Sequence, residues 1–174
     1  MKKFGILTAL LLILPFVLSF AVLNGLDKKI DREIKEEFEV TDYSHEGVEV
    51  SKELHQKLPS RVSKDNFFRL KNNGELLGYA YLDRAPSKTA EFDYLVIFDK
   101  DLAIARTKVL VYREEYGGEI GSRRWLRQFT GKSKASELDH IAAISGATIS
   151  VRSMKNAVKD ILVSVEILQK NNAL

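Results

Sequence analysis

The sequence predicts an α+β domain, an antiparallel sheet with packed helices, preceded by an N-terminal transmembrane helix. Three observations predict it. Four strand-like runs joined by short turns occupy the middle of the chain. A long amphipathic stretch closes it, with Met154, Val158, Ile161, Val165 and Leu168 recurring at helical steps. And residues 4–23 hold no charged side chain at all.

That uncharged run follows Lys2 and Lys3, and about twenty apolar residues suffice to cross a hydrocarbon core. Pro15 kinks such a helix without forbidding it. A cleaved signal peptide is the competing reading, because a charged start and an apolar middle suit that too. The length of the run, and the lack of a clear small-x-small site after it, favour an anchor. The expected organisation is a membrane anchor or signal peptide over 1–25, an amphipathic stalk over 26–46, and a domain over 47–174. The expected location is the inner (cytoplasmic) membrane, crossed once, with the domain on the extracytoplasmic or periplasmic side. Lys28 and Lys29 make the second flank basic as well, so the charge asymmetry does not set the orientation.

In the stalk, Ile30, Ile34 and Phe38 form a narrow apolar stripe among charged residues. Residues 47–58 predict a short helix ended by Pro59. Asn72-Asn73-Gly74 separates two strand-like runs, a strong hairpin signal. Gly78 inside the second run marks a bulge or a close backbone approach. Asp99-Lys100-Asp101 reads as the next turn, and Leu102, Ile104, Val109 and Val111 as one buried face whose parity shifts midway. The loop 116–122 is punctuated by glycine. After it, Trp125, Leu126 and Phe129 form a helical apolar patch closed by Gly131.

Composition removes several function classes. There is no cysteine, which excludes disulfides, thiolate metal sites and thiol catalysis. His45, His55 and His140 lack ligand spacing, so no metal site is expected. The net charge is +3, and Lys2 and Lys3 supply most of the excess, leaving no electrostatic argument for nucleic acid. The basic cluster Arg123-Arg124-Trp125-Leu126-Arg127 reads as a solvated helix face with one aromatic turned inward. No Ser-His-Asp set or paired-carboxylate motif emerges, so no catalytic residue is assigned.

The stretch Ser145-Gly146-Ala147-Thr148 is the candidate site. Gly146 reaches backbone angles closed to other residues, and Ala147 adds almost no bulk. Ser145 or Ser150 is a candidate N-cap for the closing helix. The first amides of that helix would favour a phosphate near Thr148. Taken alone the turn is a weak signal and reads first as a plain helix start, since many helices begin with Ser or Thr and bind nothing.

"ISGATIS" resembles the signature of the FMN-binding domain family, found in the G subunit of the Rnf electron-transfer complex and the C subunit of the sodium-pumping NADH:quinone reductase. "VLVYREEYGGEIGSRRWLRQFTGK" is similar to that family's strand, glycine loop and short helix, and the resemblance spans about residues 65 to 168. It implies FMN held as a phosphoester on Thr148, with Ser145, Gly146, Ala147, Ile149 and Ser150 around it. It also implies that Tyr116, Gly117, Gly118 and Glu119 lie near the flavin. A flavin transferase would install the group, and redox partner proteins would exchange electrons with it. One position departs from the family: Ala142 stands where an aspartate usually precedes the acceptor threonine by six residues, with Asp139 three residues further upstream. The alternative is therefore a cofactor-free binding or assembly module of the same fold.

Overall fold

The structure is a computed structural model that describes residues 25–174. The anchor expected over 4–23 lies outside the described residues, and no helix among the described residues is long and apolar enough to cross a membrane. The chain divides after Glu33 into two units. Residues 25–38 are helical (α1), so the described part of the first unit is helix throughout.

The second unit is built on a meander of five antiparallel strands in sequence order: β1 Ser44–Gly47, β2 Phe67–Asn72, β3 Glu75–Pro86, β4 Glu91–Asp99 and β5 Ile104–Val111. The predicted hairpin joins β2 to β3 through Asn73 and Gly74, both with positive φ, as the tight turns that match strand twist require. The Asp99 turn joins β4 to β5, and its carboxylate accepts from the amides of Asp101 and Ala103, each at 2.9 Å.

β4 is enclosed on both sides. Every residue from Phe92 to Phe98 is buried, a pattern of strands covered on both faces. Phe92, Tyr94, Val96 and Phe98 join the main core with Met154, Val158, Ile161 and Leu162 of the last helix, α4 Thr148–Lys170. On the opposite face Leu95 and Ile97 are fully buried. From the 34–38 segment, the carboxylates of Glu37 and Glu36 accept from Arg106 of β5 at 2.7 and 3.3 Å.

Several expectations need correction. Residues 44–46, read as stalk, are the edge strand β1, which pairs with β2. The helix expected over 47–58 is one turn, α2 Lys52–His55, capped by Ser51 accepting from the Leu54 amide at 3.2 Å. The buried residues of and before β5 are Leu102, Ile104, Thr107 and Leu110, while Val109 and Val111 are half-buried. The reason is two register shifts against β4, which leave Ala105 and Leu110 without an opposite residue and twice flip the alternation. The polar connector 132–140 contains a 3-10 helix, Ala135–Leu138, that buries Leu138. The patch after the glycine loop is as expected: Trp125, Leu126 and Phe129 are buried on α3 Arg123–Leu126 and the 3-10 turn behind it, with Trp125 and Phe129 edge to face at 5.2 Å.

Gly78 is both a bulge and a close approach. It pairs with Leu70 while Leu76 pairs with Lys71, so Leu77 is the extra residue. A Cβ on Gly78 would lie 2.1 Å from the Phe98 carbonyl oxygen and 3.0 Å from the Phe38 ring. Gly74 is the contrasting case, with φ of +86° and nothing within 4 Å of a Cβ. Gly78→Ala is therefore expected to cost about 3 kcal/mol or more, since backbone must move. Gly74→Ala is expected to cost about 1–2 kcal/mol, the strain of a left-handed residue alone. Urea unfolding of both variants checks the order.

Candidate functional site

After β5 the chain leaves the sheet as Tyr112-Arg113-Glu114, and each of these side chains ties down a different neighbour. The Tyr112 hydroxyl donates to the Tyr116 carbonyl at 3.0 Å. A phenol has one proton, so Ser150 Oγ, also 3.0 Å away, is the donor in the second contact. The Arg113 guanidinium donates to the Glu91 carbonyl at 2.9 Å and pairs with the Asp93 carboxylate. One oxygen of Glu114 accepts from the amides of Thr89 and Ala90 at 2.6 and 3.2 Å, and from the hydroxyls of Ser87 and Thr89 at 2.7 and 3.3 Å. The bond from Ser87, then that from the Thr89 amide, hold the Glu114 carboxyl below its ordinary range.

Gly117 completes the Tyr112 arrangement. Its φ is +85°, and a Cβ there would lie 2.7 Å from the Tyr112 hydroxyl and 3.6 Å from the Ala147 Cβ. Glycine at this position lets the loop cross the phenol and lie against the start of α4.

α4 begins at Thr148, and its N-cap is Ala147, which makes no side-chain capping bond. Neither expected N-cap serves: Ser145 precedes the cap, and Ser150 lies inside the first turn with its hydroxyl on Tyr112. The amides of Thr148, Ile149 and Ser150 thus open a 23-residue helix without a side-chain acceptor, and they carry the positive end of its dipole. Thr148 is exposed, and so is Gly146 beside it, with φ of +83° and no atom within 4 Å of a Cβ.

These parts enclose a cleft of about 700 Å³. Lys88 and Thr89 of the β3–β4 turn form one wall, and Gly146 to Ser150 form another. Tyr112 to Gly117 make up the rest of the lining. Of the residues the sequence singled out, Thr148, Gly146, Ala147, Ile149, Ser150, Tyr116 and Gly117 meet here. Ser145, Gly118 and Glu119 are not among the lining residues. Gly118 and Glu119 open the 3-10 helix Gly118–Gly121, whose Ile120 is driven into the core. Sequence reasoning missed Lys88, Thr89, Tyr112, Arg113, Glu114 and Glu115, because a carboxylate that binds turn amides some 25 residues away leaves no local pattern.

The segment before the Ser-Gly-Ala-Thr turn is held by its backbone. The Trp125 indole donates to the Ala142 carbonyl at 2.8 Å, and the Ala142 amide donates to Gln128 at 2.9 Å. Lys155 donates to the Ile141 carbonyl at 3.2 Å. Asp139 is paired with Lys159, whose hydrogen bond and charge lower its carboxyl pKa. It is committed to α4 and does not take the place of an aspartate at position 142.

Residues 89–163 match the family model of the FMN-binding domain. This part of the chain is an FMN-binding domain. FMN is the cofactor the family indicates, and no curated protein matches the chain. The matched residues take in β4, β5, the glycine loop and most of α4, so they contain the greater part of the cleft. Its chemistry fits FMN. The uncapped helix amides suit a phosphate. Tyr116, 82% exposed, and Ile149, 41% exposed, offer apolar surface to a planar ring. The volume falls within the roughly 300–1,000 Å³ of small-molecule sites.

Two outcomes are expected from this geometry. Tyr112→Phe removes the shared partner of the Tyr116 carbonyl and Ser150 and lowers stability by about 0.5–1.5 kcal/mol; thermal and denaturant unfolding measure it. Glu114 gives a pH signature. Its folded-state pKa is depressed, so the unfolded chain binds the proton more readily, and the stability it contributes is present above its ordinary value of 4.5 and lost as pH falls below it. Below that value the stability of Glu114→Gln falls less steeply with acid than that of the unsubstituted protein. Amide exchange at Thr89 and Ala90 in the two proteins locates the effect in the turn.

Proposed function

We propose that this protein carries FMN esterified through its phosphate to Thr148, and that it passes electrons between redox partners as a membrane-anchored, extracytoplasmic flavoprotein. The observation that carries the reading is the setting of Thr148. It is an exposed hydroxyl on the first residue of a long helix, beside uncapped amides and on the edge of a cleft of cofactor size. The family match supports FMN as the group held there.

The chain's own residues would do the following. The amides of Thr148, Ile149 and Ser150 hold the phosphate. Tyr112 and Ser150 keep the first turn of α4 fixed against the loop, so the acceptor hydroxyl is oriented before the group arrives. Tyr116 and Ile149 cover apolar faces of the ring. Bound FMN would supply one- and two-electron transfer. Attachment requires a flavin transferase acting on an activated flavin dinucleotide. Thr148 Oγ1 would form its bond to the flavin-side phosphorus as the pyrophosphate linkage broke, with AMP as the leaving group and the hydroxyl proton passing to the transferase. Uncharged residues 4–23 support the membrane anchor, and the near balance of charge in the rest of the chain supports protein partners over nucleic acid.

A second reading is favoured by one observation: Ala142 contributes only backbone bonds where the family has an aspartate, and Asp139 is tied to Lys159. On that reading the domain is a cofactor-free binding or assembly module. Coexpression of the full chain with a flavin transferase separates the two. The flavoprotein reading predicts flavin fluorescence that survives denaturing electrophoresis, a mass increase of one FMN, and complete loss of both in Thr148→Ala. A colourless chain of unmodified mass, beside a positive control substrate of the same transferase, establishes the binding module instead.

A further inference from the structure

The wall of the cleft formed by the β3–β4 turn points to a determinant of the bound flavin's redox potential, an inference that rests on the flavoprotein reading above. Four charged residues line the cleft: Lys88, Arg113, Glu114 and Glu115. Two are already committed. Arg113 is bound to Asp93 and to the Glu91 carbonyl, and Glu114 is bound to the turn. Among the described residues no ion pair or hydrogen bond is recorded for Lys88 or Glu115, and both are exposed.

Lys88 is nevertheless not a loose surface lysine. It sits between Ser87 and Thr89, and both neighbours are gripped by the same Glu114 oxygen, with the Ala90 amide as a further donor. The Ser87 amide also donates to the Ala90 carbonyl, at 2.8 Å, closing the turn on itself. The backbone of position 88 is therefore fixed while its ammonium group stays unspent. Thr148 belongs to a different wall of the same cleft. A group tethered there by its phosphate has its other end to lay against the rest of the lining, where Lys88 is the uncommitted cation.

We propose that Lys88 is the charge that tunes the flavin ring, and that Glu114 is the positioning residue that holds it there. Reduction adds electron density to the ring, so a cation within its reach favours the reduced form and raises the midpoint potential. Glu115 opposes this in sign, but its backbone lies beyond the residues that Glu114 straps down.

The test uses the full-length chain loaded with FMN by a coexpressed flavin transferase, with midpoint potentials read by anaerobic reductive titration against a reference dye. Lys88→Gln is expected to shift the potential down, Lys88→Arg to restore it, and Lys88→Glu to shift it further down. Added salt narrows the gap between Lys88→Gln and the unsubstituted protein. Glu114→Gln also removes an anion from the cleft, which by itself raises the potential, so the release of Lys88 is read as a downward contribution present in the unsubstituted protein and absent in the Lys88→Gln background. Thermal unfolding of the Lys88 variants is expected to be unchanged, since the side chain is exposed. Loaded Lys88→Gln protein with an unshifted potential overturns the role of Lys88. Equal shifts from Glu114→Gln in the unsubstituted protein and in the Lys88→Gln background overturn the positioning role. An unsubstituted chain that takes up no FMN overturns the flavoprotein reading, and this proposal with it.

Discussion

A single buried carboxylate organises the part of the molecule that matters most. Asp93 is 6% exposed, near the start of the strand that runs through the middle of the fold. A carboxylate taken that far from water is stable only if it is paired and hydrogen-bonded. It is paired twice, with Arg84 Nε donating at 2.9 Å from the neighbouring strand and Arg113 reaching it from beyond β5. The second pair has the wider consequence. It holds position 113 to the sheet just where the chain stops being a strand, so positions 112 and 114 leave the sheet from a fixed point. Tyr112 and Glu114 then act at short range on the two walls of the cleft. The cleft thus has its floor pinned by an ion pair and its walls pinned by neutral and charge-assisted hydrogen bonds from adjacent residues.

The two walls differ in how they resist change. The helix wall is supported by packing: Met154, Val158, Ile161 and Leu168 are each fully buried, and they fix α4 along its length. Burying a large aliphatic side chain contributes about 1.5–3 kcal/mol, so the helix start is held by far more than its first turn. The turn wall has no such support. Lys88 and Thr89 are exposed, and apart from the bonds that close the turn, what holds them is the Glu114 oxygen. Charge-assisted bonds of this kind are stronger than neutral ones, yet all of them end on one atom and fail together when it is protonated or removed. A site with one rigid wall and one strapped wall can keep the start of α4 constant while the other side adjusts.

What was legible in the sequence was what is written locally. The Asn73-Gly74 hairpin, the Asp99 turn and the stripe of α4 each depend on residues within a few positions of one another, and each stands where the pattern put it. β1 was illegible because Ser44-His45-Glu46-Gly47 has no apolar face; it is an exposed edge strand recruited by pairing with β2 alone. The α2 segment had a capping serine but buries only Leu54, so nothing extends it past one turn. In β5 the parity change was visible, but not its cause, since a bulge is a property of two strands. The cleft divided in the same way. The Ser-Gly-Ala-Thr turn and Tyr116-Gly117 could be read off the chain, whereas Tyr112, Glu114 and Lys88 acquire their roles only through contacts across the fold.

The missing aspartate bears on assembly of the site more than on its finished form. The backbone around Ala142 is satisfied by Trp125, Gln128 and Lys155, so the loop leading into the Ser-Gly-Ala-Thr turn needs no carboxylate to keep its course. The cleft, its floor and its helix amides involve none of the residues from 139 to 145. An aspartate at position 142 would stand on an exposed loop, six residues ahead of the acceptor, where a transferase has access to it. On the flavoprotein reading proposed above, its role belongs to attachment and not to holding the group afterwards. On that reading the finished geometry asks only for a hydroxyl at 148, small residues at 146 and 147, and a helix end left without a cap. Those four features coincide here although helix starts more often carry a serine, threonine, aspartate or asparagine cap. A helix this long left uncapped, at the edge of a cleft and beside an exposed threonine, forgoes the roughly 1 kcal/mol that a capping side chain typically contributes. That is the pattern expected where the amides are reserved for an anion supplied from outside the chain.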